Sequence, residues 1–128
     1  MMEEGNVLLD CLFVGIGGFV GSVLRYLVTL IPLGAAAVFP YKTLVINVIG
    51  SFVIGLICAA SAKSGAWNPQ LVLMLKVGVC GGFTTFSTFA LETDVLLRDG
   101  SWPLAVVYIV LSVVLSVAAV FAAEAVVR

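Results

Sequence analysis

The polar residues able to do chemistry sit inside long apolar stretches, and they repeat with a helical period. Thr43, Asn47, Ser51 and Gly55 recur every four residues, so they share one helix face. Tyr108, Ser112 and Ser116 do the same further along the chain. Phe86, Phe89 and Thr93 share a face by three- and four-residue steps. Three helices would each offer a stripe of neutral donors or aromatic edges. Hydroxyls and amides can replace the water around an anion, and the C–H rim of a phenyl ring is its positive edge. A narrow track of such groups suits a small, strongly hydrated anion. A cation pathway usually presents acidic or carbonyl rings instead.

Each feature also has a plainer reading. Small and hydroxyl residues are the ordinary glue of membrane helices, which suffices for Ser51, Ser112 or Ser116 taken singly. Asn47 differs, because a primary amide is costly in lipid. Gly17, Gly18 and Gly21 read as positions of close helix approach. Arg25 lies near the end of its stretch, within snorkelling reach of the interface, and reads equally as an anchor or as an anion-attracting mouth. Glu92 lies within the third stretch or at its edge, with a hydroxyl or a basic residue as its partner.

Other chemistries find no support. The chain has no histidine, which removes the commonest metal ligand and proton shuttle. Cys11, Cys58 and Cys80 lie in apolar stretches without metal-type spacing and read as free, buried thiols. Gly81-Gly82 is not followed by the lysine of a phosphate loop. A net charge of −1 offers nothing to nucleic acid, and no enzymatic constellation exists.

The elements that hold these residues are membrane helices. Of 128 residues, 62% are hydrophobic and 10% charged, more apolar surface than a domain of this size can hide from water. One domain is expected over residues 1–128, with four spans over about 8–31, 43–62, 71–97 and 103–127, each near or above the ~20 residues that cross the hydrocarbon core. The first stretch is too long for a signal-peptide core and follows acidic Glu3 and Glu4, so it reads as a retained helix. Asn68-Pro69 and Ser101-Trp102-Pro103 place a capping residue and a proline where helices start. Trp67, Trp102, Tyr41 and Tyr26 fall near span ends, where aromatic rings favour the interface.

Orientation is balanced. Lys63, Lys76 and Arg128 fall towards the side of the termini, and Arg25, Lys42 and Arg98 towards the other. The positive-inside rule has no bias to act on, so the chain can insert both ways and pair antiparallel. The third stretch is overlong, since an unbroken helix would reach ~40 Å. At its middle, Gly81-Gly82 and the β-branched pair Thr84-Thr85 are poor helix interior, and a break is expected there. Freed carbonyls within the membrane would need protein, water or an ion as partner.

Gly17-Gly18-Phe19-Val20-Gly21-Ser22-Val23-Leu24-Arg25-Tyr26, then Thr43-Leu44-Val45-Ile46-Asn47-Val48-Ile49-Gly50-Ser51-Phe52, then Gly81-Gly82-Phe83-Thr84-Thr85-Phe86-Ser87-Thr88-Phe89 resemble the Fluc (CrcB) fluoride channels. The resemblance covers nearly the whole chain in order and spacing, and the third motif is highly specific. It implies an all-α membrane protein of four transmembrane helices, the third broken mid-membrane, assembled as an antiparallel dual-topology homodimer in the plasma (inner) membrane. It implies passive export of fluoride that relieves fluoride toxicity. It would make Asn47 a pore-mouth donor, Phe86 and Phe89 edge-on fluoride ligands, and Tyr108, Ser112 and Ser116 a polar track, with Thr88 as a further donor. Arg25 would stand in the vestibule beside Thr43, with Glu92 as a coupled polar residue. Carbonyls of Gly81 and Thr84 would hold a structural sodium ion at the dimer axis. One departure is Lys42, where the family commonly has glycine.

Three rival readings fit the residues less well. A small multidrug transporter needs a membrane-embedded acid in its first helix, and only Asp10 stands there, at the edge. A proton-coupled fluoride exporter would have to build its relay on Glu92 alone. A non-transporting packing subunit would use the polar stripes as glue and leave the third motif without a purpose.

Overall fold

The computed structural model describes residues 4–32, 34 and 36–128; Glu3 and two residues of the stretch around Gly34 lie outside the described residues. Four helical spans are long and apolar enough to cross a membrane. Helix α1 covers Glu4–Thr29 and α2 covers Tyr41–Ser64. The third span is composite: α3 (Pro69–Leu73), a π-helical stretch (Met74–Cys80), α4 (Gly81–Phe83), two extended residues, then α5 (Phe86–Arg98). Helix α6 covers Trp102–Val127. The spans begin and end up to four residues from where apolarity alone sets them, because the helices run on into interfacial polar residues.

Local chemistry sets the ends. Helix α2 closes on Gly65, whose positive φ of 66° lets its N–H donate to the Ser61 carbonyl at 2.9 Å. The Asn68 side chain accepts from the N–H groups of Gln70 and Leu71 at 2.8 and 3.3 Å, and Pro69 fills the first helical position. The Lys63 ammonium donates to the Val127 carbonyl at 2.8 Å and that of Lys42 to Thr29 at 2.6 Å. Each cation thus sits at the carbonyl end of a neighbouring helix, where the dipole favours it. For Lys42 this places the unusual residue as a cap on α1.

The interruption of the third span falls within the expected stretch, at its threonines and not at its glycines. Gly81 and Gly82 stay helical, and the chain leaves the helix at Thr84 (φ −78°, ψ 160°) and Thr85 (φ −151°, ψ 116°). The β-branched pair makes the bend. The glycines instead permit packing: a Cβ on Gly82 would press on the Gly18 backbone and the Ser22 nitrogen. The same crossing runs further along α1, where a Cβ on Gly17 would collide with the Met74 carbonyl and one on Gly21 with that of Val79. Gly18 itself has open space where a side chain would go, so it is not a contact glycine in the sense expected. The π-helical stretch, absent from any periodicity reading, lies at this crossing and includes Gly78, on which a Cβ would press against the Gly17 and Val14 backbone.

Helix α2 packs along α6, with Gly55 against Val120 and Ala123, while α1 lies on the first half of the third span. Leu44, Leu96, Ala105 and Tyr108 form a buried cluster flanked by Phe39, Val48, Phe89 and Leu111, and Ile46, Ile57, Cys80 and Ala123 are buried elsewhere. Most large apolar side chains point outward, Phe19, Phe121 and Val126 among them, as a lipid-facing surface requires. Cys11 is also on that outer face, whereas Cys80 is buried and Cys58 half-buried.

Candidate functional site

A groove of about 360 Å³ runs along α2, the bend of the third span, and α6. Asn47, Ser51, Thr84, Thr85, Phe86, Phe89, Ser112 and Ser116 line it, with Gly81 and Cys80 at its side. Two residues of each stripe seen in the sequence, Asn47 and Ser51, Phe86 and Phe89, Ser112 and Ser116, therefore converge on one space, while Thr43, Gly55, Thr93 and Tyr108 lie outside it. None of the lining residues carries a charge.

Asn47 is committed more firmly than a free pore donor. Its Nδ2 donates to the Thr85 carbonyl at 3.1 Å and its Oδ1 accepts the Thr85 N–H at 2.8 Å. This reciprocal pair closes the backbone of the bend onto α2, and it leaves the amide one further N–H to offer the groove. Ser51 donates to the Asn47 carbonyl of its own helix at 2.7 Å. Sequence reasoning missed Thr85, which is buried. Its hydroxyl oxygen caps α5, accepting from the Thr88 N–H at 3.2 Å and donating to the Thr88 hydroxyl at 3.0 Å. Thr85-Phe86-Ser87-Thr88 is a hydroxyl N-cap spacing, so the signal was present in the sequence.

Thr88 thus serves the cap, and it is not among the residues lining the groove. Phe86 is 81% exposed and meets Phe89 at 5.5 Å between centroids. Phe89 in turn meets Tyr108 at 5.1 Å. Ser112 Oγ is buried with no hydrogen-bond partner among the described residues, and its residue faces the groove. An orphaned buried hydroxyl costs about 1–3 kcal/mol unless something in that space satisfies it.

Tyr108 lies beyond the groove rather than in it. It is fully buried, and its hydroxyl donates to Glu92 Oε2 at 2.8 Å, while Thr43 donates to Oε1 at 2.7 Å. Both carboxylate oxygens are bonded, so the partner left open by the sequence is a pair of hydroxyls. A second cavity of about 230 Å³ reaches this cluster and is lined by Thr43, Glu92, Lys42, Tyr41 and Phe39. Arg25 is elsewhere: its Nε donates to the Gly82 carbonyl at 3.1 Å.

The bend also separates two kinds of charge. Helix α5 starts at the groove, so its N-terminal N–H groups supply positive potential there. The half before it ends in carbonyls. The helical donor to Gly81 would be the Thr85 N–H, which Asn47 takes, and the donor to Thr84 would be the Thr88 N–H, which Thr85 takes. Two carbonyls of the bend, three residues apart in sequence, are thereby released from helical bonding.

The sequence that builds this site is similar to known proteins. Residues 12–124 fit the family model described as CrcB-like protein, Camphor Resistance (CrcB). The chain belongs to the CrcB (FluC) family. The fluoride-specific ion channel FluC of Novosphingobium aromaticivorans is 47% identical over 120 residues, covering 91% of this chain and 94% of that one. The FluC of Rhizobium meliloti is 47% identical over 118 residues, with 91% and 94% covered. That of Chlorobium chlorochromatii is 47% identical over 98 residues, with 77% and 76% covered. Within the CrcB family, the bend, the three stripes and the groove between them are the parts that this chain assembles around its motifs.

Proposed function

We infer that the chain is a fluoride-specific channel of the membrane and not an enzyme. It conducts fluoride passively out of the cell across the plasma (inner) membrane and so relieves fluoride toxicity. The observation that carries this is a charge-free groove where an amide, serine hydroxyls, phenyl edges and a helix N-terminus face one space. Fluoride entering it exchanges water for the spare N–H of Asn47, the orphaned Ser112 hydroxyl and the rims of Phe86 and Phe89, with Ser116 further along. Tyr108 orders the end of this track through Glu92, and Thr43 and Glu92 belong to the vestibule, whereas Arg25 stands at the bend on the Gly82 carbonyl. A passive channel is favoured over a proton-coupled exporter because both Glu92 oxygens already accept hydroxyl bonds.

Two copies complete the pathway as an antiparallel homodimer surrounded by lipid. Phe86 is largely uncovered in a single chain and the groove is open along one side, which a second copy would close. The three-against-three balance of basic residues allows both orientations. A label at the C-terminus should be found on both faces of the membrane in comparable amounts, and labelling from one face alone would refute the antiparallel arrangement.

The residues at the bend fit a sodium ion. The carbonyls of Gly81 and Thr84 have lost their helical donors, Gly81 is exposed, and hard oxygen ligands suit such a cation. Bound there, the ion would supply fixed positive charge and hold the bends of the two copies together.

The test is fluoride efflux from liposomes holding the purified protein, beside a chloride control. Fluoride loss without matching chloride loss is expected. Phe89→Ile, which keeps bulk but removes the aromatic rim, should slow it at least ~10-fold, as expected for losing one partner of a desolvated ion. Efflux at the wild-type rate would take Phe89 out of the pathway, and no efflux from folded wild type would return the groove to a packing role.

A further inference from the structure

The carbonyls released at the bend are not all left alike. The Gly82 carbonyl lies between those of Gly81 and Thr84 in sequence, yet it is met from within the chain by Arg25 Nε at 3.1 Å. This contact spans 57 residues and is partly buried. It depends on close approach of the two backbones: a Cβ on Gly82 would meet the Gly18 carbonyl, and one on Gly21 would meet the Val79 carbonyl and the Phe83 nitrogen. On the opposite side Asn47 holds Thr85. The bend is therefore clamped from both flanks, by α1 before it and by α2 after it.

We propose that Arg25 is a positioning residue for the cation at the bend: by drawing the Gly82 carbonyl towards α1, it fixes the rotation of the intervening peptides and so presents Gly81 and Thr84 to the ion. This rests on the sodium reading above. The charge of Arg25 acts against it, because a guanidinium near a cation is repulsive. The two effects have opposite signs, which makes the outcome informative. A planar donor on a fixed carbonyl acts locally on geometry, while the charge is spread over the guanidinium and partly solvated, so geometry is expected to prevail.

The experiment is thermal unfolding of the purified, intact protein in detergent across a sodium titration, with N-methylglucamine holding ionic strength constant. Wild type should gain stability with sodium along a saturating curve. In Arg25→Met the sodium concentration at half effect should rise about tenfold, the loss expected for one charge-assisted hydrogen bond. Arg25→Lys, which keeps a donor and the charge, should fall between the two and serves alone if the methionine variant does not fold. A merely structural Arg25 would lower stability equally at every sodium concentration; an unmoved midpoint in Arg25→Lys and Arg25→Met overturns the proposal. A midpoint that falls overturns it as well, since repulsion then governs. A wild type that gains nothing from sodium would remove the sodium reading itself, and the proposal with it.

Discussion

Replacing Asn47 with aspartate is expected to cut fluoride efflux about a hundredfold, by two routes that add. Asn47 donates through Nδ2 to the Thr85 carbonyl and accepts the Thr85 N–H. Aspartate keeps the acceptor but turns the donor into an oxygen facing a carbonyl oxygen. A buried polar group left without its partner costs about 1–3 kcal/mol, which alone is ~5- to 150-fold in an equilibrium. The new negative charge also stands in the groove proposed as the fluoride path, whose lining is otherwise free of charge. Asn47→Ala separates the routes, because it removes the clamp without adding charge. Efflux from Asn47→Asp at the wild-type rate, with the protein still assembled, would exclude Asn47 from the path of the ion.

The second large effect is one of packing. Gly21→Ala should lower stability by about 1–3 kcal/mol, the usual result of forcing a methyl into a packed contact. The added Cβ would strike the Val79 carbonyl and lie 2.9 Å from the Phe83 nitrogen, and both are backbone atoms that cannot swing away. Gly18→Ala, three residues earlier on the same helix, has nothing within 4 Å of its new methyl. That variant should be neutral or slightly stabilising, because alanine is the better helix former. Unfolding of the two variants in detergent tests the pair. Equal stability would mean that α1 and the third span can move apart freely, and the close crossing would not be a constraint.

Much of this architecture is legible in the residues themselves. Apolar length gives four spans, and four-residue spacing gives the stripes that meet at the groove. The exact seat of the bend was not legible. Glycine is a poor helix former in water, but in a membrane Gly81 and Gly82 can remain helical, and Gly82 lets α1 approach. The β-branched, hydroxyl-bearing Thr84 and Thr85 leave the helix because Asn47 takes the Thr85 N–H and carbonyl, and the Thr85 hydroxyl takes the Thr88 N–H that would have closed the next turn. Those partners are long-range or reciprocal, and periodicity does not encode them. Asn47 and Arg25 could be recognised as costly in lipid, yet the carbonyls they serve belong to other helices. Glu92 is similar: its two hydroxyl partners stand 49 and 16 residues away. The π-helical stretch left no trace at all, since its residues read as ordinary apolar helix.

The clamp at Asn47 has a consequence for how the chain is made. Asn47 belongs to the second span, but the backbone it binds lies 38 residues later, in the third. At a synthesis rate of ~5–20 residues per second, the partner emerges about two to eight seconds after the amide does. During that interval the second span carries an unsatisfied amide that lipid cannot serve. Release into the bilayer before the third span arrives is therefore unfavourable, and the two spans are best delivered from the insertion machinery as a pair. A residue that clamps the bend of the third span thereby also links the two spans while they are still being made.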